Sequence, residues 1–184
     1  MVTVATSLLD RIADEVGAKV EIDAEGSLVV SPASDPHVIG ASELFGQLRA
    51  AAPPGLLVLS AGPRWAPAGG EAPSYVPDIA VVARSSMRRS SQDYGLHPAP
   101  LLIVEVLSPD TRRRDLGDKA DAYWRGGAGA YWTLELPGLM PAERPTLTVC
   151  RRGPSGWEVR PALTGMVEIE GPVAVHLDLH RLGL

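Results

Sequence analysis

The sequence predicts a mixed α/β (α+β) fold in which a mixed central sheet is flanked by helices, with an additional β-hairpin layer. Apolar, β-branched runs of strand length recur at 75–83, 101–107 and 130–136. A helical pattern over 115–124 separates the last two and can serve as a crossover between parallel strands. The 19 glycines and 17 prolines cluster between these runs, so they punctuate elements and do not form one low-complexity tract.

In chain order, Leu8, Leu9, Ile12, Ala13 and Val16 recur at helical spacing over 7–16, and Gly17 supplies a stop. Segments 19–23 and 27–31 read as a hairpin turning at Ala24-Glu25-Gly26, closed by Pro32. Ser34-Asp35-Pro36 is a helix start, with a capping residue and a proline in the first turn. That helix carries Val38, Ile39, Ala41, Leu44, Phe45 and Leu48 on its apolar stripe and ends near Ala51, before Pro53-Pro54. A strand at 55–60 and a Pro/Gly-rich loop lead to the strand 75–83. A long polar loop over 84–100 then carries Arg84, Arg88 and Arg89. After the buried strand, the Ser108-Pro109-Asp110 turn and the crossover helix, segments 146–151 and 156–161 form a second hairpin. Further strands are expected near 167–169 and 173–177.

With 184 residues and 45% hydrophobic content, the chain has the size of one domain, 1–184, with a real core. One Phe, four Tyr and four Trp leave that core to Leu, Val, Ala and Ile. The single Cys150 excludes an internal disulfide and a cysteine zinc cluster, and points to a reducing, cytoplasmic setting. No signal-peptide pattern opens the chain, and no apolar stretch approaches the roughly 20 residues that span a bilayer, so no membrane partner is expected. The net charge of −5 gives no global attraction to nucleic acid, which would have to be met by local basic patches.

The most informative residue is Glu105, alone among apolar neighbours in Leu101-Leu102-Ile103-Val104-Glu105-Val106-Leu107. A carboxylate in a strand buried on both faces is costly unless a cation, a metal or several hydrogen bonds compensate it. Asp78 follows Pro77 at the entry to another apolar strand, so the two carboxylates converge if those strands are neighbours. Paired carboxylates in a cleft repel unless a hard divalent cation such as Mg²⁺ or Mn²⁺ bridges them. Lys119, one helix later, is placed to orient or deprotonate a metal-bound water, or to neutralise a phosphate under attack.

The blocks Pro77-Asp78-Ile79-Ala80-Val81-Val82, Val104 to Arg112, Arg114 to Lys119, and Tyr123 through Ala130-Tyr131-Trp132 resemble a bacterial pattern. They are similar to the Uma-two family, a restriction-endonuclease-like group within the PD-(D/E)XK nuclease superfamily. Gly26 to Pro32 with His37, and Val173 to Leu182, extend the resemblance over most of the chain. The resemblance implies a restriction-endonuclease-like core, a mixed four-stranded sheet flanked by helices, and metal-dependent hydrolysis of phosphodiester bonds by an endonuclease. It makes Asp78 and Glu105 metal-binding and catalytic, with Lys119 the catalytic lysine of the following helix. The superfamily lysine two residues after the glutamate is Leu107 here. Nucleic acid, DNA in the first instance, is the implied partner, and analogy with dimeric restriction-type nucleases implies a homodimer.

Each residue also admits a plainer role. Asp78 can cap a local amide, and Glu105 can be satisfied by Arg112 or Arg114. Lys119 can pair with Asp115 on an exposed helix face, and Asp115 can cap that helix. Arg112, Arg113 and Arg114 read as phosphate contacts or as a solvated turn, and His37 as a cleft residue or a structural hydrogen-bonding group. Glu43 supplements a metal shell only weakly, and Tyr123, Trp124, Tyr131 and Trp132 read as packing. The rival to an endonuclease is a catalytically inactive binding or structural module on the same fold. An enzyme acting on a small phosphorylated substrate is a third reading, and one that tolerates the acidic net charge more easily.

Overall fold

Apolar residues at helical spacing make Thr6–Val16 a helix (α1) that buries Leu9 and leaves Leu8 and Val16 exposed. Gly17 ends it at φ +62°, a conformation that costs glycine nothing. Strands β1 (Lys19–Ile22) and β2 (Leu28–Ser31) form an antiparallel hairpin, Lys19 opposite Ser31. Helix α2 (Asp35–Ala51) follows Ser34, which occupies the cap position in extended geometry but makes no side-chain cap bond. Of the expected stripe, Leu44 and Leu48 are buried, whereas Val38 is exposed. The computed structural model describes residues 6–60, 64–65, 73–86 and 99–183, so Arg88 and Arg89 of the polar loop lie outside the described residues.

Six strands form the central sheet: β3 (Leu56–Ser60), β4 (Ile79–Ala83), β5 (Leu102–Val106), β6 (Ala130–Glu135), β7 (Thr146–Arg152) and β8 (Trp157–Val159). They lie in that order, all neighbours antiparallel except β5 and β6. The parallel pair is joined by the crossover helix, as the sequence pattern requires. Strands β3 to β8 thus extend beyond the four-stranded core that the resemblance implies. A third, two-stranded sheet pairs β9 (Met166–Ile169) with β10 (Val175–Asp178), and a 3₁₀ turn over Leu179–Leu182 follows.

Two element starts near the site differ from expectation. The strand expected over 75–83 starts at Ile79, because Tyr75 instead forms an isolated antiparallel bridge with Trp65. The crossover starts three residues early, at Arg112, since Arg112 and Asp115 amides bond back to the Ser108 and Thr111 carbonyls. It runs as α3 (Arg112–Arg114), a π-helical turn over Asp115–Lys119, and α4 (Ala120–Arg125). At the start of the widened turn the Asp115 carbonyl accepts the Tyr131 hydroxyl at 2.8 Å.

The sheet separates two cores. On one side Ile79, Val81, Leu102, Val104, Leu134 and Val149 pack against Leu44 and Leu48 of α2 and against Leu177 and Leu182. On the other, Ala80, Ile103 and Tyr131 pack beneath Tyr123, Trp65 and Tyr75. Trp65 and Tyr123 meet edge-on with centroids 5.1 Å apart. The close fit requires glycine at 126, where a Cβ would lie 2.0 Å from the Trp65 ring.

Candidate active site

Strand alternation decides the placement of the two acids. Ile79 pairs with Val104 and Ala80 with Ile103, so continuing the register by one residue sets Asp78 opposite Glu105. Ala80 and Ile103 belong to the aromatic core, so both carboxylates stand on that face. Both are buried, with side chains 4% and 2% exposed.

One ammonium joins them. Lys19 at the start of β1 donates to Asp78 Oδ1, and its Nζ lies 3.6 Å from Glu105 Oε2. Asp78 Oδ2 accepts the Val106 amide at 2.7 Å and lies 3.2 Å from His37 Nε2. Glu105 Oε1 accepts from Lys119 Nζ at 3.2 Å and from the Tyr123 hydroxyl at 2.9 Å. Lys119 is more deeply buried, 2% exposed at its side chain, and contacts Glu21 at 3.0 Å and Asp115 at 3.2 Å as well as Glu105. It also lies 5.5 Å from the Tyr75 ring centroid. Glu21 accepts the Val76 amide at 2.8 Å and an Arg114 guanidinium N–H at 3.2 Å. Four buried carboxylates therefore face the permanent cations Lys19, Lys119 and Arg114, with His37 at the edge.

These contacts set the protonation states. Burial opposes charge on Lys119, but Glu105, Glu21 and Asp115 outweigh it and raise its pKa. Three carboxylates around its ammonium thus favour the charged form of Lys119. Burial likewise opposes charge on Lys19, and Asp78 and Glu105 overcome it. Asp78 resists burial through Lys19 and His37, which hold its pKa well below the usual range. Burial pushes Glu105 up to about 8, with Lys119 and Lys19 pulling against it and Asp78 and Asp115 adding to the rise.

The structure thus brings Asp78, Glu105, Lys119 and His37 together and separates the arginines. Arg114 reaches the cluster through Glu21. Arg112 points elsewhere, to Glu135 at 3.4 Å, with its side chain 48% exposed. Arg113 is exposed. Neither Arg112 nor Arg114 compensates Glu105; the lysines and Tyr123 do. Asp115 is buried within the helical crossover, not at its cap, and its pair with Lys119 is buried, not solvated. Lys19, Glu21 and Tyr123 escaped the sequence reading. The first two sit in a four-residue hairpin strand whose alternation suggests a solvated polar face, and the sequence around Tyr123 indicates packing alone. The available signal was Glu21 beside apolar Val20 and Ile22, the same isolation that marked Glu105.

The site opens on a cavity of about 700 Å³ bordered by α1 and α2, lined by Lys19, His37 and Asp78 at one end and by Asp10 and Arg64 elsewhere. Among the described residues, no group of three or more His, Cys, Asp or Glu side chains is gathered to hold a metal. Mg²⁺ does not demand such a group, since one or two carboxylates commonly hold it while water and phosphate complete the shell. Asp78 and Glu105, already closed around one cation, supply a donor set of that kind.

A family model described as "Putative restriction endonuclease" matches residues 7–181. The chain belongs to the Uma2 family. Among solved structures, the chain is similar to a protein of Anabaena variabilis described as "a putative nuclease belonging to DUF820". The two share 22% identity and a TM-score of 0.67, covering 89% of this chain and 88% of the other, a likeness that shows the fold. No curated protein matches the chain. Uma2 membership and the mixed sheet flanked by helices agree with the resemblance read from the sequence. Among the described residues, no helix is long and apolar enough to cross a membrane.

Proposed function

We propose that this Uma2 protein is a metal-dependent endonuclease that hydrolyses phosphodiester bonds of nucleic acid, DNA in the first instance. The observation that carries the reading is the pairing of Asp78 and Glu105 across adjacent strands, bridged by the Lys19 ammonium. Asp78 and Glu105 would hold Mg²⁺ or Mn²⁺, which lowers the pKa of a bound water and offsets charge on the phosphate. The Val106 amide and His37 orient Asp78, while Tyr123 and Lys119 orient Glu105. Lys119, held charged by three carboxylates, supplies a fixed positive field and does not move a proton. Leu107, at the usual lysine position, is 1% exposed, and the cation enters from the crossover helix instead.

Plasmid nicking with Mg²⁺ or Mn²⁺ tests this. Wild type is expected to nick, and Asp78→Asn or Glu105→Gln to lower the rate more than roughly 100-fold, the upper end of what outer-shell partners alone cost. Equal activity in both variants would overturn the assignment. One observation favours a second reading, the inactive module: the chain's own cations already meet Asp78, Glu105 and Glu21. Absence of both nicking and metal binding in the wild type would establish that reading.

A further inference from the structure

The two lysines of the cluster are not equivalent. Lys119 is enclosed, its ammonium ion-paired with Glu21, Glu105 and Asp115 and hydrogen-bonded to Glu105. Among the described residues Lys19 forms ion pairs with Asp78 and Glu105 alone, and its side chain is 20% exposed. It also borders both the 700 Å³ cavity and a smaller pocket of about 70 Å³ that contains Asp78, Glu105 and Lys119. Its long aliphatic stem starts at the first residue of β1, outside the six-stranded sheet, so the head group can leave the carboxylates without moving that sheet.

The oxygens it engages, Asp78 Oδ1 and Glu105 Oε2, belong to the two carboxylates that would hold a divalent ion. An ammonium and a divalent cation cannot share that spot, because like charges a few ångströms apart repel strongly away from bulk water. We propose that Lys19 is the resident counterion of the site: it neutralises the Asp78–Glu105 pair in the absence of metal and turns out into the 700 Å³ cavity when a divalent cation binds. This rests on the reading of Asp78 and Glu105 as the cation-holding pair. The apparent metal affinity is then lowered by the work of displacing Lys19.

The test is Mn²⁺ titration by calorimetry of the full chain, comparing wild type, Lys19→Met and Asp78→Asn. Lys19→Met is expected to bind Mn²⁺ on the order of tenfold more tightly than wild type. Without metal it should melt at lower temperature, because two buried carboxylates lose their partner, and Mn²⁺ should restore the loss. A second measurement uses the wild type alone: labelling by an amine-reactive ester, read by mass spectrometry, should increase at Lys19 on adding Mn²⁺ while Lys119 stays protected. Mn²⁺ binding that is lost in Asp78→Asn but no tighter in Lys19→Met, with Lys19 labelling unchanged by Mn²⁺, would overturn this proposal and leave the endonuclease reading standing. Absence of Mn²⁺ binding in wild type and Lys19→Met alike would remove both.

Discussion

The two faces of the central sheet are built on opposite principles. One face meets α2 and the β9–β10 hairpin through aliphatic side chains packed around Trp132, and its stability comes from area removed from water. The other carries aromatic rings and, at one end, four buried carboxylates with their cations. Aliphatic packing is tolerant, since losing a methylene forfeits a small and local amount. Buried ion clusters are brittle, because removing one partner strands another charge without solvent. A protein gains little stability from such a cluster, and its presence on one face alone is what supports the site proposed there.

The sharpest way to break this contrast is Lys119→Met, which leaves Glu21, Glu105 and Asp115 without their common cation. It should cost roughly 3–5 kcal/mol in urea unfolding. Leu134→Ala on the aliphatic face should cost about 3 kcal/mol by the same measurement. It should also leave Mn²⁺ affinity unchanged, and a weakened affinity would show that the faces are not independent.

Acidity separates Asp78 and Glu105. Asp78 is held below its ordinary value of 3.8, so the unfolded chain binds more protons, and the stability Asp78 contributes is lost as pH falls below about 4. Glu105 is raised from 4.5 to about 8, so the folded chain binds more protons, and its contribution declines as pH climbs through that interval. Urea unfolding against pH should therefore show Asp78→Asn flattening the acid limb and Glu105→Gln flattening the slope from 4.5 to 8. The smallest effect is expected from Arg112→Ala. Its pair with Glu135 is solvated, and its loss should cost at most about 1 kcal/mol.

What could be read from the sequence follows the same division. Glu105, Asp78 and Lys119 were legible because each breaks or opens a patterned segment, and patterning is what a linear reading detects best. Lys19 and Glu21 were not, because Lys19-Val20-Glu21-Ile22 has the alternation of an ordinary surface hairpin. Only the tertiary arrangement, which turns that polar side toward the sheet, reveals that Glu21 is 1% exposed. The π-helical turn at Asp115–Lys119 was hidden for another reason: side-chain periodicity does not report a change of backbone hydrogen-bond register. Helix and strand order came through because long apolar runs and proline-marked starts act locally. The cap bond at Ser34 did not, since it depends on where the side chain turns.

The β1–β2 hairpin has a consequence for how the site is kept intact. It shares no ladder with the six-stranded sheet and is tied in through the reciprocal Ile22–Ser74 backbone bonds at 2.9 Å, yet it supplies both Lys19 and Glu21. Assembly of the charge cluster and global folding are therefore separable events. Detachment of this short flap would disassemble the charge cluster while the sheet persists, and its amides should exchange with deuterium at a lower opening free energy than those of β5.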